Sequence, residues 1–286
     1  MESAESVQPS PSGALPRSAT VPHRIRAEEA LRYAEDGFFV REAVFAADEL
    51  ERLRAAAERA AARAGVAAAG APEADAYAID GNRYVEAARS TIQLEHGGAS
   101  STIRVVEPFH HLDPELDRLL GDPRIVDPVC GVLGETKVAL WTDKLNLKRP
   151  REGSGFRWHQ DSPYWAHACR HCEKLPNVMI TLDDADRDNG CFRLVPGSHA
   201  RGFLPGLSDG TRLGPLFTDP AHFDVGRQWL AEVPAGSLIF FDSHIVHGSE
   251  PNRSDRARRA MVVTYQPPGH AMFKVEGTRE FALGAG

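Results

Sequence analysis

Three observations predict a mainly β protein with flanking helices, built as a sandwich or barrel. From residue 137 onward, short apolar runs recur between clusters of Pro, Gly, Asn and Asp, the pattern of strands joined by turns. Before about residue 134 the clearest signals are helical. The chain also has no Gly-rich phosphate loop and no regular strand–helix alternation, which sets aside a nucleotide-binding α/β fold.

The elements follow in order. Residues 1–22, rich in Ser, Pro and Ala, predict a disordered tail, leaving 23–286 as a single domain. Its helical part runs to about 134 and its β core spans about 137–270. Ala27–Asp36 reads as a short helix ended by Gly37, followed by a buried strand at Phe38–Val40. A second helix starts near Asp48, with Leu50, Leu53 and Ala57 at i, i+3 and i+7, and runs to about Ala64. Gly65–Ala76 reads as a flexible connection. Arg83–Val85 and Ser101–Val106 are candidate strands, separated by a polar loop over Glu95–Ser100. Asp113-Pro114 and Asp122-Pro123 each pair an N-cap with proline at the first helical position. They predict helices at about 114–120 and 123–133. The strands of the core are Lys137–Lys148, Asn177–Leu182, Cys191–Val195, Ser237–Phe241 and Met261–Gln266.

Composition narrows the function. The chain has 286 residues, 42% apolar and 26% charged, as a soluble globular protein does. A net charge of −7 disfavours nucleic acid or an anionic membrane as partner. No apolar run approaches a membrane span. Four cysteines in a chain this long do not make a disulfide framework. The expectation is a cytoplasmic enzyme or binding protein, monomeric or homodimeric, acting on a small molecule.

The chemistry centres on Arg157-Trp158-His159-Gln160-Asp161. Residues i and i+2 of a strand share a face, so His159 and Asp161 can meet one metal ion from one side. A third ligand is needed, and Ser243-His244-Ile245-Val246-His247-Gly248-Ser249 offers two candidates, His244 and His247. Two histidines and one carboxylate on one face of an iron leave the opposite positions open. Downstream, one arginine of Arg258-Arg259 can point inward from the last strand and bind a carboxylate bidentately. Strand alternation allows only one of the two to do so. Ser249 can share the same carboxylate.

Together these motifs resemble the phytanoyl-CoA dioxygenase family of Fe(II)- and 2-oxoglutarate-dependent oxygenases, which includes ectoine hydroxylase. The likeness rests on Trp158-His159-Gln160-Asp161 and on Asp188-Asn189-Gly190-Cys191 leading to Val195-Pro196-Gly197-Ser198-His199. It rests also on His247-Gly248-Ser249 followed by Arg258, and on Asp36-Gly37-Phe38-Phe39-Val40. It covers roughly residues 27–266. The resemblance implies a double-stranded β-helix (jelly-roll, cupin-like) core. It implies His159, Asp161 and His247 as iron ligands, Arg258 as the 2-oxoglutarate anchor, and Thr142 as a further co-substrate contact. It also implies O₂ as the oxidant and succinate and CO₂ as by-products. Because Asp161 is a carboxylate, where related halogenases carry a small residue, it implies hydroxylation or another oxidation rather than chlorination.

Weaker signals surround this set. Cys169-Arg170-His171-Cys172, with His167 near by, has the spacing of half a zinc site, and no second half follows. Tyr164 and Trp165 are candidates to line the substrate pocket. Arg193 either meets an anionic substrate group or makes a structural ion pair. The long insertion at 201–232, with 77–100, is expected to set substrate specificity. A zinc hydrolase and a jelly-roll binding module without catalysis are the rival readings; the dicarboxylate anchor disfavours the first and the intact triad the second.

Overall fold

The computed structural model describes residues 23–96 and 100–284, so the predicted tail at 1–22 lies outside it. The elements in chain order are α1 (Ala27–Asp36), β1 (Phe38–Arg41), α2 (Ala47–Gly70), β2 (Ala76–Ile79), β3 (Asn82–Ala87), β4 (Ser90–Leu94) and β5 (Ile103–Glu107). Next come α3 (Pro114–Leu119), α4 (Pro123–Leu133), β6 (Lys137–Lys148), β7 (Phe156–His159), α5 (Ser162–Trp165) and β8 (Asn177–Thr181). The chain ends with β9 (Phe192–Leu194), β10 (Trp229–Leu230), β11 (Leu238–Phe241), β12 (His247–Ser249), β13 (Arg258–Gln266) and β14 (Glu280–Ala282).

The capped helices form where the sequence places them. Asp113 and Asp122 each accept a hydrogen bond from the second residue after them, and a proline opens each helix. Helix α2 outruns its expected end. The stretch from Gly65 to Gly70, expected as a connection, continues the helix, because alanine costs nothing there and Gly65 is tolerated. Its buried stripe of Leu50, Leu53, Ala56, Ala57, Ala60 and Ala64 lies in one core with the sheet's strands.

All strand pairings are antiparallel. One sheet runs β1-β11-β8-β13-β6-β5-β4-β3-β2, with β14 also on β6; the smaller sheet runs β10-β9-β12-β7. Alternation along β13 separates the two faces of the large sheet. Met261, Val263 and Tyr265 join the core under the helices, whereas Ala260 and Val262 join Phe192 and Leu194 of the small sheet. The two sheets therefore enclose an interior of their own, the arrangement of a jelly roll. The hairpins β2–β5 extend the large sheet beyond β6. Asp80-Gly81 turns the first of them with positive φ at both residues, the type I′ signature. The next turn, Ala88-Arg89, also has positive φ at both residues and contains no glycine.

Candidate metal centre

His159 and His247 are direct partners across β7 and β12, which brings their rings to 4.1 Å between centroids. Asp161 completes the group by another route than strand alternation. The strand β7 ends at His159, and Asp161 sits in helical conformation at the entry to α5. Its backbone N–H donates to Ser243 O at 3.0 Å, and its Oδ2 accepts from Asn177 Nδ2 at 3.0 Å. Asn177 is itself held by the Thr264 hydroxyl, 2.5 Å from its Oδ1. Asp161 Oδ1 lies 4.0 Å from His159 Nε2, and Oδ2 lies 3.8 Å from His247 Nε2. One ligand atom from each residue falls within 4.8 Å of the other two, the only such group of three among the described residues.

The hydrogen bonds set the tautomers. A carbonyl only accepts, so His159 Nδ1 donates to Arg157 O at 2.7 Å and His247 Nδ1 donates to Ile245 O at 3.0 Å. Each Nε2 is left with its lone pair facing the common point, the form a metal requires. Burial, then the neighbouring His247, pushes the His159 imidazole down to about 3, and burial also lowers His247. Burial acts to raise the Asp161 carboxyl, but the neighbouring Lys144 ammonium opposes it, and the group is held below its ordinary value. Two neutral imidazoles and a carboxylate that share one point fit a divalent first-row metal with open positions. His244 is not part of the group; its ring lies against Phe203 and its Nδ1 lies 3.5 Å from Asp242.

The arginine pair divides as alternation requires. Arg259 faces the helices and binds Asp183 at 2.7 and 2.8 Å and Glu58 at 3.1 Å. Arg258 is 5% exposed, its Nε is buried without a partner, and its guanidinium has no hydrogen bond among the described residues. Ser249, two residues past His247, faces Lys148, the cross-strand neighbour of Arg258. Thr142 is buried on β6 and donates to Glu107 at 2.9 Å. Tyr164 packs edge-on to His159 at 5.9 Å. Trp165 is buried against Trp141 with the Lys144 ammonium 5.1 Å from its ring.

Arg193 is not brought to this group. On β9 its neighbours Phe192 and Leu194 face the interior, so Arg193 faces out, stacked 4.5 Å over Trp158 and paired with Glu250 at 2.7 Å. Cys169 and Cys172 lie 3.2 Å apart, and among the described residues no third ligand gathers about them. Three polar groups at the site were missed in the sequence: Asn177, Lys144 at 3.7 Å from Asp161, and the buried Lys148. The two lysines had a signal. Thr142, Lys144, Asn146 and Lys148 alternate along β6 and share its inner face.

The model of the phytanoyl-CoA dioxygenase family matches residues 33–260. The chain belongs to that family. It is an Fe(II)- and 2-oxoglutarate-dependent dioxygenase. Among its relatives, a 2-aminoethylphosphonate dioxygenase from uncultured bacterium HF130_AEPn_1 is 34% identical over 161 residues, 56% of this chain and 57% of the relative. The chain thus matches little more than half the length of that protein. An ectoine dioxygenase from Bordetella bronchiseptica is 28% identical over 268 residues, 84% of this chain and 75% of the relative. The crystal structure of EctD from S. alaskensis with 2-oxoglutarate and 5-hydroxyectoine superposes with a TM-score of 0.62 at 23% identity, over 94% of this chain and 87% of that one. That likeness concerns the fold, and it bears out the jelly-roll, cupin-like core. Among the described residues no helix is long and apolar enough to cross a membrane.

Proposed function

We propose that this family member hydroxylates a small metabolite at an iron(II) held by His159, Asp161 and His247, with 2-oxoglutarate received by Arg258, Ser249 and Thr142. One observation carries the reading: Arg258 is a buried guanidinium with no anion of its own, on the strand row that faces the metal ligands' sheet. A structural arginine would be paired, as Arg259 is; an unpaired one needs a carboxylate from outside. A zinc hydrolase has no use for it.

Bound iron and 2-oxoglutarate supply the oxidising chemistry, in which O₂ is consumed, succinate and CO₂ leave, and an oxygen enters a substrate C–H bond. The residues of the chain bind and orient. Backbone carbonyls of Arg157 and Ile245 fix both imidazoles, and Asn177 with Lys144 fixes the Asp161 carboxylate. Trp165 and Tyr164 wall the site against water. The insertion at 201–232 reaches the metal-ligand strand, since Thr218 N donates to Trp158 O at 2.9 Å and Phe217 bridges to His159. We assign substrate selection to it and to residues 77–100, of which 97–99 lie outside the described residues.

The substrate is read as small and free of coenzyme A. The basic cluster at 253–259 offers little to its phosphates, because Arg256 pairs with Asp186 and Arg259 with Asp183 and Glu58. The named substrates of the two relatives above are also small. The reading further takes residues 23–286 as one domain and the protein as a monomer or homodimer in the cytoplasm; the four free cysteines support only the reducing compartment. Anaerobic titration with Fe(II) and 2-oxoglutarate tests the centre. The weak visible charge-transfer band of chelated 2-oxoglutarate is expected in wild type and absent in Asp161→Ala. Its absence from well-folded, iron-loaded wild type would overturn the assignment.

A further inference from the structure

Cys169 and Cys172 follow α5, the helix that Asp161 opens. Their sulfurs lie 3.2 Å apart, and Cys172 Sγ donates to Cys169 O at 3.4 Å. The chain's other two cysteines are buried elsewhere, Cys130 under the helices and Cys191 in a separate cluster. The two thiols of the pair differ in access. Cys172 is 6% exposed and packs with Trp141, Trp165 and Leu175; burial, then the Cys169 thiol, pushes it up to about 12, so it keeps its proton. Cys169 is half-buried and flanked by the exposed residues Ala166, His167, Ala168 and Arg170.

A closed ring of bonds ties this pair to the metal centre. From Asp161 the chain runs through α5 to Trp165, whose carbonyl accepts from Ala168 N and Cys169 N at 2.8 and 3.0 Å. Three residues on, the Cys172 carbonyl accepts from the Ser243 hydroxyl at 2.6 Å. Ser243 O in turn accepts from Asp161 N and Ser162 N at 3.0 and 3.1 Å, which closes the ring. Packing alone does not call for two sulfurs at this place, since one stands half in solvent. A structural zinc would need further ligands, and among the described residues none joins them. A reachable thiol beside a sheltered one is the arrangement in which the first is oxidised and the second resolves it.

We propose that Cys169 and Cys172 form a thiol-oxidation site: a peroxide joins them as a disulfide, and the disulfide disturbs the seat of Asp161 so that iron(II) is held less tightly. The proposal rests on Asp161 being an iron ligand. The Cys169 thiol attacks the peroxide, the O–O bond breaks, and a sulfenic acid and one water form. The Cys172 sulfur then displaces that oxygen. The S–S bond forms, the S–O bond breaks, and the Cys172 proton leaves with the oxygen as a second water. The two sulfurs lose one electron each and the peroxide gains two. Closing the sulfurs from 3.2 Å to about 2.0 Å must move the Cys169 end of the ring, held to Trp165, or the Cys172 end, held to Ser243. Both ends lead to Asp161. In a reducing compartment the dithiol is the resting form and the disulfide a transient one.

The test uses full-length protein freed of metal by a chelator, treated with hydrogen peroxide, desalted and titrated anaerobically with Fe(II). Thiols counted in denaturant should fall from four to two. Trypsin cuts after Arg170, between the two cysteines, so mass spectrometry should find their peptides joined. Oxidised protein should bind Fe(II) roughly tenfold more weakly, as loss of a group supporting a metal ligand does, and dithiothreitol should restore both thiols and affinity. Cys169→Ser should bind Fe(II) like reduced wild type before and after peroxide; if it does not fold, Cys169→Ala replaces it. Absence of the joined peptides overturns the proposal, as does a disulfide that leaves Fe(II) affinity unchanged. An equal loss of affinity in peroxide-treated Cys169→Ser also overturns it, because the damage would then lie elsewhere. Failure of reduced wild type to bind Fe(II) is a separate result, which would refute the metal centre and the proposal with it.

Discussion

The two faces of the large sheet treat charge in opposite ways. On the helix-covered face, Arg41 of β1 grips Glu29 of α1 at 2.7 and 2.9 Å, and Arg259 grips Asp183 and Glu58. Both of these cations have their acids. On the face that looks into the jelly roll, the next residue of the same strand, Arg258, has none, and Lys148 opposite it has only neutral oxygens. Arg41 and Arg258 are 7% and 5% exposed, so the degree of burial does not explain the contrast. A folded chain that leaves a charge buried and unpaired loses stability unless something else arrives. Pairing marks where the charges serve the fold, and its absence marks where they serve a ligand.

That contrast can be broken at its centre. The largest effect is expected from Asp161→Ala, which removes the only anionic ligand atom of the triad. Hydroxylation should be abolished, and Fe(II) affinity should fall more than the roughly 10–100-fold that loss of a supporting hydrogen bond costs. Circular dichroism should be unchanged. Wild-type turnover in this variant would refute the triad. Arg258→Met comes next. It deletes the unpaired charge, so 2-oxoglutarate should bind about 10–100-fold more weakly, read by equilibrium titration, with Fe(II) affinity intact. The protein itself should not be destabilised, because no native ion pair is lost.

On the covered face the same operation should give the reverse result. Glu29→Gln should cost about 3 kcal/mol of stability, since it leaves Arg41 buried without its acid. Burial works to raise the Glu29 carboxyl, but Arg41 and Arg26 overcome it and lower the group from its ordinary 4.5 to about 2. A depressed carboxyl stabilises the fold above its unfolded value and loses that contribution as pH falls through the folded one. The gap between wild type and Glu29→Gln in urea unfolding should therefore be full at neutral pH and close between 4.5 and about 2. A gap independent of pH would show that Glu29 acts through packing alone.

Much of the site was legible because its ligands fall in short motifs. His159 and Asp161 are two residues apart, and His247 carries Gly248 and Ser249 behind it. The choice of Arg258 over Arg259 came from the family resemblance and not from alternation, which says that one faces in without saying which; the acids that claim Arg259 come from α2 and the end of β8. Lys144 and Lys148 share one face of β6 by alternation, but the sequence does not say that this face looks inward. Arg193 had a strand signal but no register, and the register turns it outward. The hairpin at Asp80-Gly81 had its turn residues in view, while Ala88-Arg89 makes the same turn with no residue that favours it. Local chemistry was readable; facing was not.

The smallest expected effect sharpens the comparison most, because it changes the neighbour of Arg258 and nothing else. Arg259→Met removes a partly exposed guanidinium from a cluster in which Arg54 still reaches Asp183 and Arg149 still reaches Glu58. The acids keep partners, so the loss should be about 1 kcal/mol in urea unfolding. The affinity for 2-oxoglutarate should be that of wild type. Adjacent arginines on one strand would then have separable roles, one moving stability alone and the other moving ligand affinity alone. If Arg259→Met weakened 2-oxoglutarate as much as Arg258→Met, the covered face would be reporting to the ligand, and unpaired burial would not be what distinguishes the anchor.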